Sequence, residues 1–147
     1  MKYKILRTVL ILFSSCALLA CSDKQDFVAD EGRWYDSAQL AMGETVFADN
    51  CAQCHGDSAQ GLTSDWKQKL DDGSFPPPPL DGSAHAWHHP QSVLLQVIDN
   101  GGAEFGGKMP AFATVLDQEE KLSAMAYFQN FWTDEIYSQW MDMGGNN

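Results

Sequence analysis

Cys51-Ala52-Gln53-Cys54-His55 is the most informative stretch of the sequence. Two cysteines separated by two residues and followed at once by histidine form the attachment pattern of c-type haem. The spacing has a mechanical reason. Thiols three positions apart can each add to a vinyl group of one porphyrin, forming two thioether bonds. The next residue is then carried under the ring, where an imidazole nitrogen reaches the iron. Without the histidine, Cys-x-x-Cys is ambiguous between a redox dithiol and half a zinc site. With it, and with no second Cys-x-x-Cys in the chain, the expected cofactor is one haem c held by Cys51 and Cys54, with His55 on the iron.

The chain has 147 residues, enough for one domain of ordinary size once a targeting segment is removed. Twenty acidic side chains face nine basic ones. Lys2, Lys4 and Arg7 lie at the N-terminus, so from Cys21 onward six basic side chains remain against twenty acidic, a formal charge of −14. No basic patch is available to neutralise phosphates, which argues against nucleic acid. An acidic surface steers instead toward redox partners with basic docking surfaces, in a salt-sensitive way. The remaining cysteines, Cys16 and Cys21, both belong to the N-terminal segment, so no pair is left for a structural disulfide.

Residues 1–7 are short and basic, and residues 8–20 are apolar with few interruptions. That is the layout of a secretory signal, too short to span a bilayer comfortably. Its end, Leu18-Leu19-Ala20-Cys21, resembles the lipobox of a bacterial lipoprotein. The resemblance implies cleavage before Cys21, acylation of that residue, and a protein held to a membrane by acyl chains on the periplasmic side. Ser22 in place of aspartate points to the outer membrane under the sorting rule of enteric bacteria. Covalent haem attachment of this type takes place outside the bacterial cytoplasm, so leader and haem motif agree. Residues 21–35 then read as a polar tether, up to roughly 45 Å long when extended, meeting the folded body near Trp34 and Tyr35.

Asp36 or Ser37 can cap a first helix running to about Asn50. Leu40, Gly43 and Phe47 fall at helical spacing, which leaves a notch at Gly43. A glycine inside a helix costs about 1 kcal/mol relative to alanine, so a close helix crossing is expected there, with Tyr127 filling the notch. Residues 56–72 read as loop, with a turn of helix around 64–70. Pro76-Pro77-Pro78-Pro79 cannot be helical and forms a stiff extended segment with free carbonyls. One of these carbonyls can accept from the second ring nitrogen of the ligating histidine, fixing its tautomer. Trp87 can lay its ring against the haem and donate its N–H to a propionate. His85, His88 and His89 invite a second-metal reading, but adjacent side chains diverge, and helix-entry or surface roles are preferred. Pro90 opens a helix over 91–100, ended by Gly101 and Gly102.

Met109, after glycines and before Pro110, sits on a loop rather than a core helix face. Thioether sulfur is a soft ligand suited to haem iron. His85, His88 and His89 are the other candidates for the sixth position. Asp117 and Glu120 form a capping-box start to a last helix from 118 to about 132. Residues 135–143 extend as an amphipathic helix, and residues 144–147 read as a frayed end.

Together these residues resemble a class I c-type cytochrome domain from about Asp36 to Trp132. The resemblance rests on Gly43 and Phe47, the haem motif, Pro78-x-Leu80-x-Gly82, the Met109-Pro110 loop and Ala126-Tyr127. It implies an all-α cytochrome c fold, three to five helices around one covalent haem, with N- and C-terminal helices crossing near Gly43. It implies His55 and Met109 as axial ligands, Pro78 as the carbonyl acceptor for His55, and Leu80 at the cofactor. The organisation so read is a leader (1–20), a lipid-anchored tether (21–35), the haem domain (36–132), and a C-terminal extension (133–147). Departures from the family are the His85–His89 stretch, the length of the proline run and that extension.

The function expected first is a membrane-tethered carrier of single electrons between exported redox proteins, with no catalytic residue of its own. The alternatives are a haem enzyme or sensor with a displaceable sixth ligand, or an electron-transfer subunit of a larger oxidoreductase complex.

Overall fold

The computed structural model describes residues 31–147; the leader, Cys16, Cys21 and the first part of the expected tether lie outside the described residues. Among these residues the chain forms five α-helices and no strand. They are α1 (Ser37–Asn50), α2 (Ala52–His55), α3 (Gln91–Asn100), α4 (Gln118–Gln129) and α5 (Asp134–Asp142). The class is all-α, as the sequence pattern indicates.

α1 and α4 each start where a short polar side chain satisfies an orphan backbone donor. The Asp36 carboxylate accepts from the Gln39 N–H at 2.8 Å and opens α1. Asp117 accepts from the Glu120 N–H at 2.9 Å while the Glu120 carboxylate takes the Asp117 N–H at 2.8 Å, a reciprocal capping box at the head of α4. Both caps are exposed, so their worth is that of the hydrogen bonds alone. Asp117→Ala should lower stability by about 1 kcal/mol, read as a lower denaturant midpoint at unchanged slope.

α1 and α4 cross at Gly43, and the close approach is made by backbone. A Cβ on Gly43 would lie 2.7 Å from the Ser123 carbonyl carbon and nearer still to its oxygen, with Tyr127 Cβ at 3.1 Å. The notch is therefore filled by the Ser123 carbonyl, not by the Tyr127 ring. That ring lies beside it, tilted 42° against Phe47 at 5.1 Å, and its hydroxyl donates to the Asp57 carbonyl at 3.0 Å. Leu40, Phe47, Met125, Ala126 and Phe128 bury their side chains along this crossing.

Three expectations are corrected. The stretch 64–70 forms no helix and only one hydrogen-bonded turn, with the Gln68 N–H on the Asp65 carbonyl at 3.3 Å, because the Asp65 carboxylate takes the Lys67 N–H and such local bonds compete with helix. α4 ends at Gln129, after which tight bonds from Phe131 to Phe128 and from Trp132 to Gln129 turn the chain into α5. The C-terminal segment is not frayed. Trp140 is 0% exposed and donates its indole N–H to the His89 carbonyl at 2.8 Å. The Gly145 and Asn147 carbonyls accept from the Gln91 and Ser92 N–H groups at 2.6 and 3.3 Å. Those donors are the first of α3, whose N-cap is Pro90 and has no side-chain acceptor to offer, so the last residues act as its cap. At the other end, Arg33 lies over the Tyr137 ring and pairs with Asp134, and Trp34 donates to the Gln129 side chain at 2.6 Å. Residues 33–35 thus pack with the body.

Candidate haem site

Cys51 caps α1, and the chain turns at once into α2, with the Cys54 and His55 N–H groups both bonded to the Cys51 carbonyl (3.0 and 2.9 Å). Positions i, i+3 and i+4 of one helical turn share a face, which brings both thiols and the imidazole together. Cys51 is half-buried and Cys54 exposed, and neither is in a disulfide. Burial, and then the neighbouring Cys54, push the Cys51 thiol up to about 11. Gly56, at φ +80°, ends the turn.

His55 is 7% exposed, and its Nδ1 lies 2.9 Å from the Pro78 carbonyl oxygen. A carbonyl can only accept, so Nδ1 carries the proton and Nε2 keeps its lone pair. Burial holds the imidazole below its ordinary pKa, partly offset by the Pro78 bond, so the ring is neutral near pH 7. That is the protonation state iron ligation needs. The motif is folded against the proline run by two short backbone bonds, from the Gly61 N–H to the His55 carbonyl at 2.6 Å and from the Leu80 N–H to the Ala59 carbonyl at 2.7 Å.

The Met109 loop is held through its backbone. The Gly102 N–H donates to the Met109 carbonyl at 3.0 Å, and the Phe112 N–H to the Ile98 carbonyl at 2.9 Å. Gly101 sits at φ +80°, and a Cβ there would come within 2.6 Å of the Met109 carbonyl oxygen. Met109 itself is half-buried, packed with Ile98 against Val46, Phe112, Leu116 and Ala124. Lys108 pairs with Asp72, and that ion pair, followed by Ser74, holds the Asp72 carboxyl well below the usual carboxylate range. The Phe75 N–H donates to the Gly106 carbonyl at 2.8 Å, so this loop and the segment entering the proline run are joined. Gly101→Ala should cost about 1–2 kcal/mol through the left-handed backbone alone. It should also shift Met109, so that any sulfur-to-iron absorption band is lost at a lower temperature than in the native protein.

The surroundings fit a haem. α3 carries Val93, Leu94, Leu95, Val97 and Ile98 yet has no fully buried residue. Leu94, Leu95 and Ile98 join Cys51, Ala52, Leu80, Trp87 and Phe131 as apolar groups packed on the core but partly open. Covering such surface is favourable by about 25 cal/mol per Å², and a flat apolar macrocycle bound at Cys51 and Cys54 is suited to cover it. Trp87 is half-buried, with its ring edge-on to His88 at 3.9 Å between centroids.

The histidines are engaged with aromatic rings. His85 stacks on Trp66 at 4.8 Å and meets His89 edge-on at 5.5 Å. Its basicity is lowered by burial and then by His89, His88 and Lys67. Among the described residues no group of three or more His, Cys, Asp or Glu is placed to hold a metal ion. Sequence reasoning missed the part played by Gly101 and Gly102 in holding Met109; the paired glycines before the loop were the available signal.

The sequence model of cytochrome C oxidase, cbb3-type, subunit III matches residues 38–128. Similar curated proteins include the cbb3-type cytochrome c oxidase subunit CcoP of Azospirillum sp. (strain B510), 33% identical over 113 residues, which are 74% of this chain and 36% of the relative. CcoP of Azospirillum brasilense is 35% identical over 95 residues, 65% of this chain and 29% of the relative. Subunit FixP of Bradyrhizobium sp. (strain ORS 278) is 36% identical over 94 residues, 64% of this chain and 27% of the relative. The chain thus spans roughly a third of the length of these relatives. No solved structure is matched significantly.

Proposed function

Since the chain belongs to the cbb3-type cytochrome c oxidase subunit III family and is an electron-transfer cytochrome c domain with covalent haem c, we propose that it works as an electron-transfer subunit of a membrane-associated oxidase complex on the periplasmic side. The observation that carries the reading is the buried His55, its Nδ1 fixed by the Pro78 carbonyl, and a Met109 loop fixed through its own backbone supports it. Cys51 and Cys54 would hold the haem covalently, and His55 and Met109 would be its axial ligands. Bound there, haem c supplies a one-electron Fe(III)/Fe(II) couple. The chain's own part would be to offer His55 and Met109 to the iron, to keep the His55 proton on Nδ1, and to surround the site with apolar groups that exclude water. With both residues on the iron no site would be open for a substrate, which is why the enzyme or sensor alternative is not preferred.

The subunit reading is preferred to the freely diffusing carrier because the matched relatives are named as oxidase subunits. No described helix is long and apolar enough to cross a membrane. For attachment we propose acyl chains on Cys21, in the membrane that carries the oxidase rather than a separate outer membrane. Arg33 and Lys121 are paired with Asp134 and Asp99, which leaves the acidic groups dominant and favours a basic docking surface on the partner. The test is native electrophoresis of mildly solubilised membranes containing the tagged chain, stained for haem and assayed for oxygen uptake. Comigration of the chain with oxygen uptake is expected; a small haem band running alone would return the protein to the free-carrier reading.

A further inference from the structure

The four consecutive prolines beside His55 present a positioning problem that the sequence pattern does not solve. Pro76-Pro77-Pro78-Pro79 offers four carbonyls and not one N–H. Such an extended segment has no donors of its own, so apart from the His55 bond its backbone is tied at its two ends. At the entry, the Phe75 N–H is bonded to the Gly106 carbonyl at 2.8 Å. At the exit, Leu80 is held twice: its N–H donates to the Ala59 carbonyl and its carbonyl accepts from Trp132 Nε1, both at 2.7 Å. Pro78, the acceptor for His55, stands two residues before Leu80, and the locked φ of each proline makes the link between them stiff.

Trp132 is built to hold still. It is 2% exposed, with the Phe128 and Trp140 rings at 6.2 and 5.8 Å. Gly82 makes room for it, since a Cβ there would come within 3.2 Å of Trp132 Cδ1. We propose that Trp132 is a positioning residue for His55, acting through Leu80 and Pro78 to set the length of the Nδ1 hydrogen bond and with it the donor strength of the imidazole. The proposal rests on His55 being a haem ligand. A well-made Nδ1–H···O bond increases the basicity of the ligand and favours the ferric state. Releasing the exit of the strand should therefore weaken the bond and raise the reduction potential.

The experiment uses the holoprotein with Trp132→Phe and with Trp132 replaced by 3-benzothienylalanine, which keeps the ring shape but lacks the N–H. Trp140→Phe is the control, since it removes an indole bond of similar length from the same aromatic cluster. The readouts are reduction potential and hydrogen exchange of the His55 Nδ1 proton in the ferrous state. Both Trp132 changes are expected to raise the potential and to speed that exchange about tenfold. Trp140→Phe should lower thermal stability and leave both unchanged. Folded Trp132 variants with native exchange and potential, or a Trp140→Phe shift of equal size, would overturn the proposal. Faster exchange at an unchanged potential would uphold the clamp but overturn the ligand reading of His55, so the two failures are separable.

Discussion

Met109→Ala should abolish the weak long-wavelength sulfur-to-iron band of the ferric protein and open its ferrous form to carbon monoxide. In the native protein the band should be present and carbon monoxide uptake absent. Met109 is the thioether whose backbone is fixed on both sides, by Gly102 before it and by the Phe112–Ile98 bond after it. A ligand held in this way loses little conformational freedom when it binds. Alanine keeps the loop's hydrogen bonds but removes the sulfur, so haem content per chain should be unchanged. The potential should fall, within the roughly 0.8 V that axial ligation spans. Removing a half-buried methionine should cost about 2 kcal/mol of stability, the low end of the core range. A native spectrum without the band would move the search for the sixth ligand to His85, His88 and His89, and a band that survives the substitution would mean that another methionine supplies the sulfur.

What the sequence discloses here is local, and what it conceals is mostly contact between distant segments. The caps at Asp36 and Asp117, the α3 entry at Pro90 and the glycine end of that helix all depend on a few adjacent residues. The haem motif is equally local, because one turn of helix contains the whole of it. The notch at Gly43 is visible as a break in an apolar face, but nothing in the pattern tells that a backbone carbonyl would occupy it. Trp132 reads only as the approximate end of the last long helix. Its bond to Leu80 spans 52 residues, and no periodicity encodes such a pairing. The last four residues are glycine and asparagine, a composition that ordinarily frays. They are ordered because α3 lacks a side-chain cap and its free donors need acceptors. The resemblance to class I cytochromes directs attention to Pro78, whereas the means of holding a strand with no donors lies beyond what any short motif contains.

Gly43→Ala provides a test in which two principles predict opposite signs. Inside a helix, alanine is favoured over glycine by about 1 kcal/mol, so propensity alone says that the change stabilises. The structure says otherwise, because the new methyl would meet the Ser123 carbonyl rather than a side chain that could turn aside. Relief would require the two helix axes to separate, and the buried faces of Leu40, Phe47, Ala124 and Phe128 would separate with them. Overpacking of this kind costs about 1–3 kcal/mol and occasionally more, and a rigid backbone partner places it at the upper end. Alanine should therefore be destabilising despite its propensity, and Gly43→Val, with two further carbons and a β-branch, should lose about 3 kcal/mol or more. Denaturant midpoints of the two holoproteins against the native one decide the matter. A stabilised Gly43→Ala would mean that the helices part at little cost, and that the crossing does not depend on backbone contact at this point.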